Sequence, residues 1–389
     1  MAYYDDQEMG KRVEKVREIL ERHALDFVLI YYDEFNLANA WYLTAWCPQF
    51  ESGAVLVPRE GSPMILGGPE SEPFAKMDSA IKETRNLPVF MVPGEEYPNA
   101  TIIDLPTLFE EVGRGKRIQR VGIVGLEQMP VSLYRQIVES FRGVELVDVT
   151  EAYTRLRYVK SPWEREAMRH AFRLARIGYK AMVRKIQPGV PEYEVAAAGE
   201  ETVRSRGANG FGFRTIVASG ARSNAVVPTA SDKIMQAGEM VMVGLSPRWK
   251  GYCGCIGSTL PVDGEFTKEQ RECIKHLQEA MLLAREGLKP GKTGKEIDAP
   301  VRAYFERIGY SRYLVCPFVH SIGLSEAEQP FFGPHSTDVL EPGMTVCIDV
   351  SFFGHPDFHG ARLETGYEIT ESGAVPFDEE TERMLLEGV

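Results

Sequence analysis

The chain has 389 residues, 44% of them apolar and 26% charged, and a formal net charge of −12. Such a length exceeds what one hydrophobic core serves and predicts two domains, while the acidic balance excludes nucleic acid as a general partner, because phosphate binding needs a positive field. No apolar run approaches the ~20 residues of a membrane span, the opening MAYYDDQEMG lacks the apolar core of a signal peptide, and six cysteines in so long a chain do not make a disulfide framework. These features predict a reduced, cytoplasmic protein with a small-molecule partner and neither a nucleic acid nor a membrane.

Val13, Val16, Ile19 and Leu20 recur at helical spacing within residues 8–23. The apolar run DFVLIYY at 26–32 then reads as a buried strand. SGAVLVP, SPMILGG, RVGIVGL and VELVDVT follow as further short strands, with helical patterns such as 127–141 between some of them. An α/β domain over residues 1–155 is expected. KSPWERE marks the next boundary. Ser161 stands as N-cap, Pro162 at the first helical position and Glu164 three residues on, so Ser and Glu satisfy each other's free backbone donors. A helix is predicted from 162 to about 186, and TKEQ at 267–270 has the pattern of a second capping box.

Residues 156–389 contain an internal repeat. KIQPGVPEYEVAAAGEETVRSRG (185–207) aligns without gaps on GLKPGKTGKEIDAPVRAYFERIG (287–309), placing Pro188-Gly189 on Pro290-Gly291 and Gly207 on Gly309. Each copy is a helix end, a Pro-Gly turn and a second helix. The correspondence continues into strands: GEMVMVG (238–244) matches GMTVCID (343–349), and GYCGC (251–255) matches GARLE (360–364). Gly244 therefore falls on Asp349, and Cys255 on Glu364. Two related halves face one another, and the later half alone keeps its carboxylates.

RLRYVKSPWEREAMRHA (155–171), VHSIGLSEAEQP (319–330), LEPGMTVCIDVS and GARLET together resemble the aminopeptidase P–prolidase–creatinase family. The resemblance implies a creatinase-type N-terminal domain and an α+β "pita-bread" catalytic domain with pseudo-twofold duplication. It also implies a homodimer. In the metallopeptidases of that family two aspartates, one histidine and two glutamates hold two metal ions. Carried over, the aspartate positions fall on Gly244 and Cys255, the histidine on His320, and the glutamates on Asp349 and Glu364. Two further family histidines fall on Val227 and Ala327.

Glycine offers no side-chain ligand, so the two-metal centre is not expected. The leading expectation is a creatinase-like, metal-independent hydrolase of a small non-peptide C–N substrate (an amidine, lactam or amide) with no cofactor. His320, Asp349 and Glu364 would do its acid–base work, and Cys255 is a candidate nucleophile. One alternative is a single metal ion on Cys255, His320, Asp349 and Glu364, in a relative of the Xaa-Pro peptidases or a lyase; the thiol would favour zinc over manganese. Another is a non-catalytic ligand-binding protein. Arg214, Tyr252, His355, His359 and Arg362 are candidates to touch substrate. Asp349 lies in an apolar strand and needs a buried partner. Arg362 and Glu364, two apart, share one strand face.

Overall fold

The central strands of the N-terminal unit, Phe27–Tyr32 and Gly53–Pro58, are buried at every residue and must be covered on both faces. The structure, a computed structural model, describes residues 4–140 and 142–387. Its two compact units are residues 1–157 and 158–389. In the first, the strands run Thr84–Asn86, Met64–Gly67, Gly53–Pro58, Phe27–Tyr32, Arg120–Val124, Glu145–Asp148 across one sheet. The strand Phe27–Tyr32, buried throughout, pairs antiparallel with Gly53–Pro58 and parallel with Arg120–Val124. The first helix spans Asp6–Arg22, capped by the Asp5 carboxylate, and buries Val13, Val16, Ile19 and Leu20. The helix expected at 127–141 occupies Val131–Ser140, and position 141 lies outside the described residues.

In the second unit the helix Pro162–Lys185 starts at the expected capping box, and Lys268–Gly287 starts at the Thr267/Gln270 box. The duplication is visible in the backbone. Gly189 and Gly291 adopt φ of +88° and +85°, and Gly207 and Gly309 adopt +93° and +77°. These are left-handed conformations that glycine alone adopts cheaply. The isolated bridges Pro191–Ile234 and Thr293–Val339 repeat the same contact in each half.

The strands of both halves share one sheet in the order Glu328–Phe331, Val319–Ser321, Thr345–His355, His359–Thr370, Ile256–Pro261, Met240–Leu245, Ile216–Ser219. The halves meet where Ile256 opposes Thr365 and Gly257 opposes Glu364. Strand alternation then sorts the side chains. Val346, Ile348, Val350 and Leu363 join the main core with Leu277, Met281 and Val301 of the helices. Cys347, Asp349, Arg362 and Glu364 fall on the other face. The earlier half obeys the same rule: Val241, Val243 and Leu245 enter the core, while Met242 joins Ile216 and Phe353 in a separate apolar cluster beside Gly244.

The segment Tyr252–Gly254 is pressed against the helix Pro162–Lys185. A Cβ added at Gly254 would lie 2.3 Å from the carbonyl carbon and 2.4 Å from the oxygen of Ala171. Backbone cannot yield as a flexible side chain can, so Gly254→Ala is expected to cost about 3 kcal/mol. Urea unfolding checks this; a midpoint equal to wild type refutes the packing argument.

Candidate active site

The hairpin Thr345–His355/His359–Thr370 sets Asp349 directly opposite Glu364 and Ser351 opposite Arg362. Strand Val319–Ser321 pairs with the same hairpin, His320 opposite Cys347. Three neighbouring strands thus bring His320, Asp349, Arg362 and Glu364 to one face. Gly257 makes room for them: a Cβ there would lie 2.9 Å from Arg362 Cδ and 2.9 Å from Glu364 Cβ.

These residues form one wall of a cavity of about 200 Å³, lined by His320, Glu326, Asp349, Arg362 and Glu364 on one side. Phe213, Ile216, Val226, Val227, Pro317 and Phe331 supply apolar lining. The Arg362 Nε donates to Asp349 Oδ1 at 2.9 Å and stands 4.0 Å from Glu364 Oε2. Asp349 therefore has the buried partner its strand demanded, and that partner is Arg362, across the hairpin. His320 Nδ1 is 3.0 Å from the Ser321 carbonyl oxygen, which can only accept, so Nδ1 carries a proton. Its Nε2 faces Glu364 Oε1 at 3.5 Å and Glu326 Oε1 at 3.8 Å, too long for strong hydrogen bonds.

Burial opposes charge on His320, but the Glu326 and Glu364 carboxylates outweigh it and hold its pKa at about 10. Burial, reinforced by the charge of Glu364, lifts Glu326 to about 8. Burial also lifts Asp349, to about 6, against the pull of Arg362. Glu364 is driven the other way, to about 2, because His320 and Arg362 overcome its own burial. The carboxylates thus occupy different protonation regimes within one small space.

Glu326 escaped the sequence reading. It sits in the turn after His320, where strand alternation gives no guide to direction. A buried ion pair, Lys160 Nζ to Glu328 Oε1 at 2.7 Å, holds that turn down, and Cys253 N donates to Gly323 O at 2.8 Å. The acidic pair in SEAEQP was the available signal.

The other expected residues are placed differently. Cys255 is fully buried and does not line the cavity. Burial and its neighbours Cys347 and Glu364 push its thiol well up, so it is a neutral thiol and not the activated thiolate expected of a nucleophile. The Tyr252 hydroxyl donates to Glu164 Oε1 at 2.7 Å, while Glu164 Oε2 accepts from Ser161 N at the capping box. His355 Nδ1 accepts from the backbone of Asp357 and Phe358, and its ring packs between Tyr310, Tyr313 and Phe358. His359 takes a positive φ of +59° where the hairpin turns back. Arg214 is exposed. None of these four lines the cavity; Arg362 does.

Comparison with known proteins places this geometry. Residues 166–371 match metallopeptidase family M24, and residues 12–159 match the creatinase/prolidase N-terminal domain. A curated Xaa-Pro dipeptidase of Pyrococcus furiosus is 29% identical over 378 residues, covering 97% of this chain and all of that protein. An uncharacterized peptidase of Bacillus subtilis, YqhT, is 33% identical over 252 residues, 64% of this chain and 71% of that protein. The crystal structure of the prolidase from Pyrococcus horikoshii OT3 superimposes with a TM-score of 0.80 at 25% identity, covering 94% of this chain and 97% of that one. The pita-bread fold expected from sequence is present. The expected metal-independent, creatinase-like hydrolase is overturned: the matching family is one of metallopeptidases, and curated relatives matched over their full length are named dipeptidases. Among the described residues, no helix is long and apolar enough to cross a membrane.

The charge cluster generates a pH signature in chelator-treated protein. Folding raises the pKa of His320 from 6.5 to about 10, so its stabilisation is complete below pH 6.5 and is lost as pH rises toward 10. Folding raises Glu326 from 4.5 to about 8, so its stabilisation is lost between those values. Both losses overlap between pH 6.5 and about 8, and the urea midpoint should fall across that interval. Glu326→Gln should flatten the fall; a wild-type midpoint that rises with pH contradicts the assignment.

Proposed function

The chain belongs to metallopeptidase family M24, and from that premise we propose that it hydrolyses an amide bond of a small, dipeptide-sized substrate with one divalent cation at the floor of the cavity. One observation carries the reading: His320, Asp349, Glu326 and Glu364 converge on one side of the cavity, with Glu364 Oε1 3.5 Å and Glu326 Oε1 3.8 Å from His320 Nε2. Once Nε2 gives up its proton, that nitrogen and the carboxylate oxygens form a cradle for a cation.

The donors fit one ion and not the family's pair. Gly244 offers no ligand, and a Cβ there would already lie 3.1 Å from Ile216 Cδ1, so apolar side chain fills the place of a carboxylate. Two groups of ligating atoms remain, each with its atoms within 4.8 Å of one another: His320, Asp349 and Glu364, and Cys255, Glu326, Cys347 and Glu364. Glu364 belongs to both, so it would hold the ion in either case. A bound ion of this kind polarises a carbonyl and acidifies a coordinated water.

The chain's own groups supply the rest. Glu326, with its pKa near 8, can take or return a proton at Oε1 around neutral pH. His320 orients Glu364 from 3.5 Å. Arg362 keeps Asp349 paired and Glu364 ionised, which fixes the electrostatic floor. The wall of Phe213, Ile216, Val226 and Phe331 excludes water and suits a nonpolar ring. The relatives named Xaa-Pro dipeptidase make Xaa-Pro dipeptides the first substrates to try. Val227 and Ala327, standing where the family resemblance implies histidines, leave the substrate backbone without those polar contacts. Cys253, Cys255, Cys273, Cys316 and Cys347, all free thiols, support a reducing, cytoplasmic setting.

Protein dialysed against a chelator should lose release of proline from an Xaa-Pro panel, and added zinc, manganese or cobalt should restore it, with a single ion per chain by elemental analysis. His320→Ala should lower kcat/KM about 100-fold or more. Turnover that survives chelation with no metal bound sinks this reading.

A further inference from the structure

Two thiols stand behind the charged floor, one from each half of the duplicated domain. Cys255 lies just before the strand Ile256–Pro261, and Cys347 lies two residues before Asp349 on the same strand face. Both are fully buried. Their sulfurs and one carboxylate oxygen each of Glu326 and Glu364 lie within 4.8 Å of one another.

The competing group is weaker. Asp349 Oδ1 already accepts from Arg362 Nε at 2.9 Å, so a cation there would have to displace a guanidinium from a buried pair. Glu364 is not held in this way: its Oε2 is 4.0 Å from the same nitrogen. One carboxylate oxygen of Glu326 reaches the same group of atoms, and no Arg or Lys is paired with it among the described residues.

We propose that Cys255, Cys347 and Glu364 ligate a single Zn²⁺, with Glu326 as the fourth donor on the cavity side. The inference rests on the one-ion reading above and moves the ion off Asp349. Zinc accepts sulfur and oxygen donors in a tetrahedron, and two thiolates select it over manganese. Binding releases one proton from each thiol as the two sulfur–zinc bonds form, and a further one from Glu326 where its carboxyl is protonated. His320, 3.5 Å from Glu364 Oε1, then serves as an outer partner that orients a ligand. Glu326 lines the cavity with its side chain 12% exposed, so substrate can displace it. Three fixed protein ligands and one exchangeable position are the pattern of a catalytic zinc.

The test uses the full chain, stripped of metal and reloaded with cobalt or zinc. Cobalt protein should show sulfur-to-cobalt charge-transfer absorption in the near ultraviolet, and zinc X-ray absorption should show sulfur scatterers at about 2.3 Å. These wild-type spectra need no variant to fold. Cys347→Ser and Cys255→Ser should each weaken the band and lower zinc affinity by more than the roughly 10–100-fold typical of losing an outer partner. Cys273→Ser, in the helix Lys268–Gly287, should change neither. One ion bound with activity restored, but no sulfur signal and no effect of Cys347→Ser, overturns this inference and leaves the one-ion hydrolase standing. No ion bound and chelator-resistant turnover overturns the hydrolase reading itself.

Discussion

The contact between Arg362 and Asp349 governs the centre of the catalytic unit. Both side chains are withdrawn from water, and the nitrogen–oxygen distance is 2.9 Å. An isolated carboxylate in that strand would be too costly to stay charged, and Asp349 is raised only to about 6 with the guanidinium beside it. The same arginine keeps Glu364 ionised, which in turn holds the proton on His320. Removing the guanidinium would disturb the protonation of three neighbours, so these groups act as a coupled set.

That set exists because strand alternation is strict on both sides of the hairpin. Every second residue from Val346 to Phe352 enters the helix-covered core, and of the intervening ones on the other face Asp349 lines the cavity. The earlier half follows the same alternation with different chemistry: Met242 and Ile216 pack an apolar cluster where its partner half presents acids. Gly257 is the joint between them, since any side chain there would collide with Arg362 and Glu364.

Much of the fold was legible in the sequence because it was written locally. Ser161 and Glu164 announce a helix start through their own backbone bonds, and the Pro-Gly turns announce the repeat through left-handed glycines. The box at Thr293 and Glu296 had the same signature and was passed over. The strand Thr84–Asn86 could not be read, because it is defined by pairing with Met64–Gly67 and not by any apolar alternation of its own. In the site, His320, Asp349, Arg362 and Glu364 were legible from motif and period. Glu326 was not, since a turn has no period. Tyr252, His355 and His359 stand outside the cavity lining, because polar residues near a pocket are as often engaged in capping and packing, here by Glu164, an aromatic cluster and a hairpin turn respectively. The expectation of metal-free chemistry, drawn from the lost Gly244 ligand, is overturned by the match to a family of metallopeptidases.

The contrast between the two cavity walls has a consequence for anything that enters. A guest with one greasy end and one polar end meets a surface that accepts it in a single pose, because reversing it would bury its dipole among Phe213, Ile216 and Val226 and strand its hydrocarbon on charge. Selection by heading, head-first against tail-first, therefore precedes any bond-making, and it follows from the earlier half of the duplication lining the cavity with oil where the later half sets its acids.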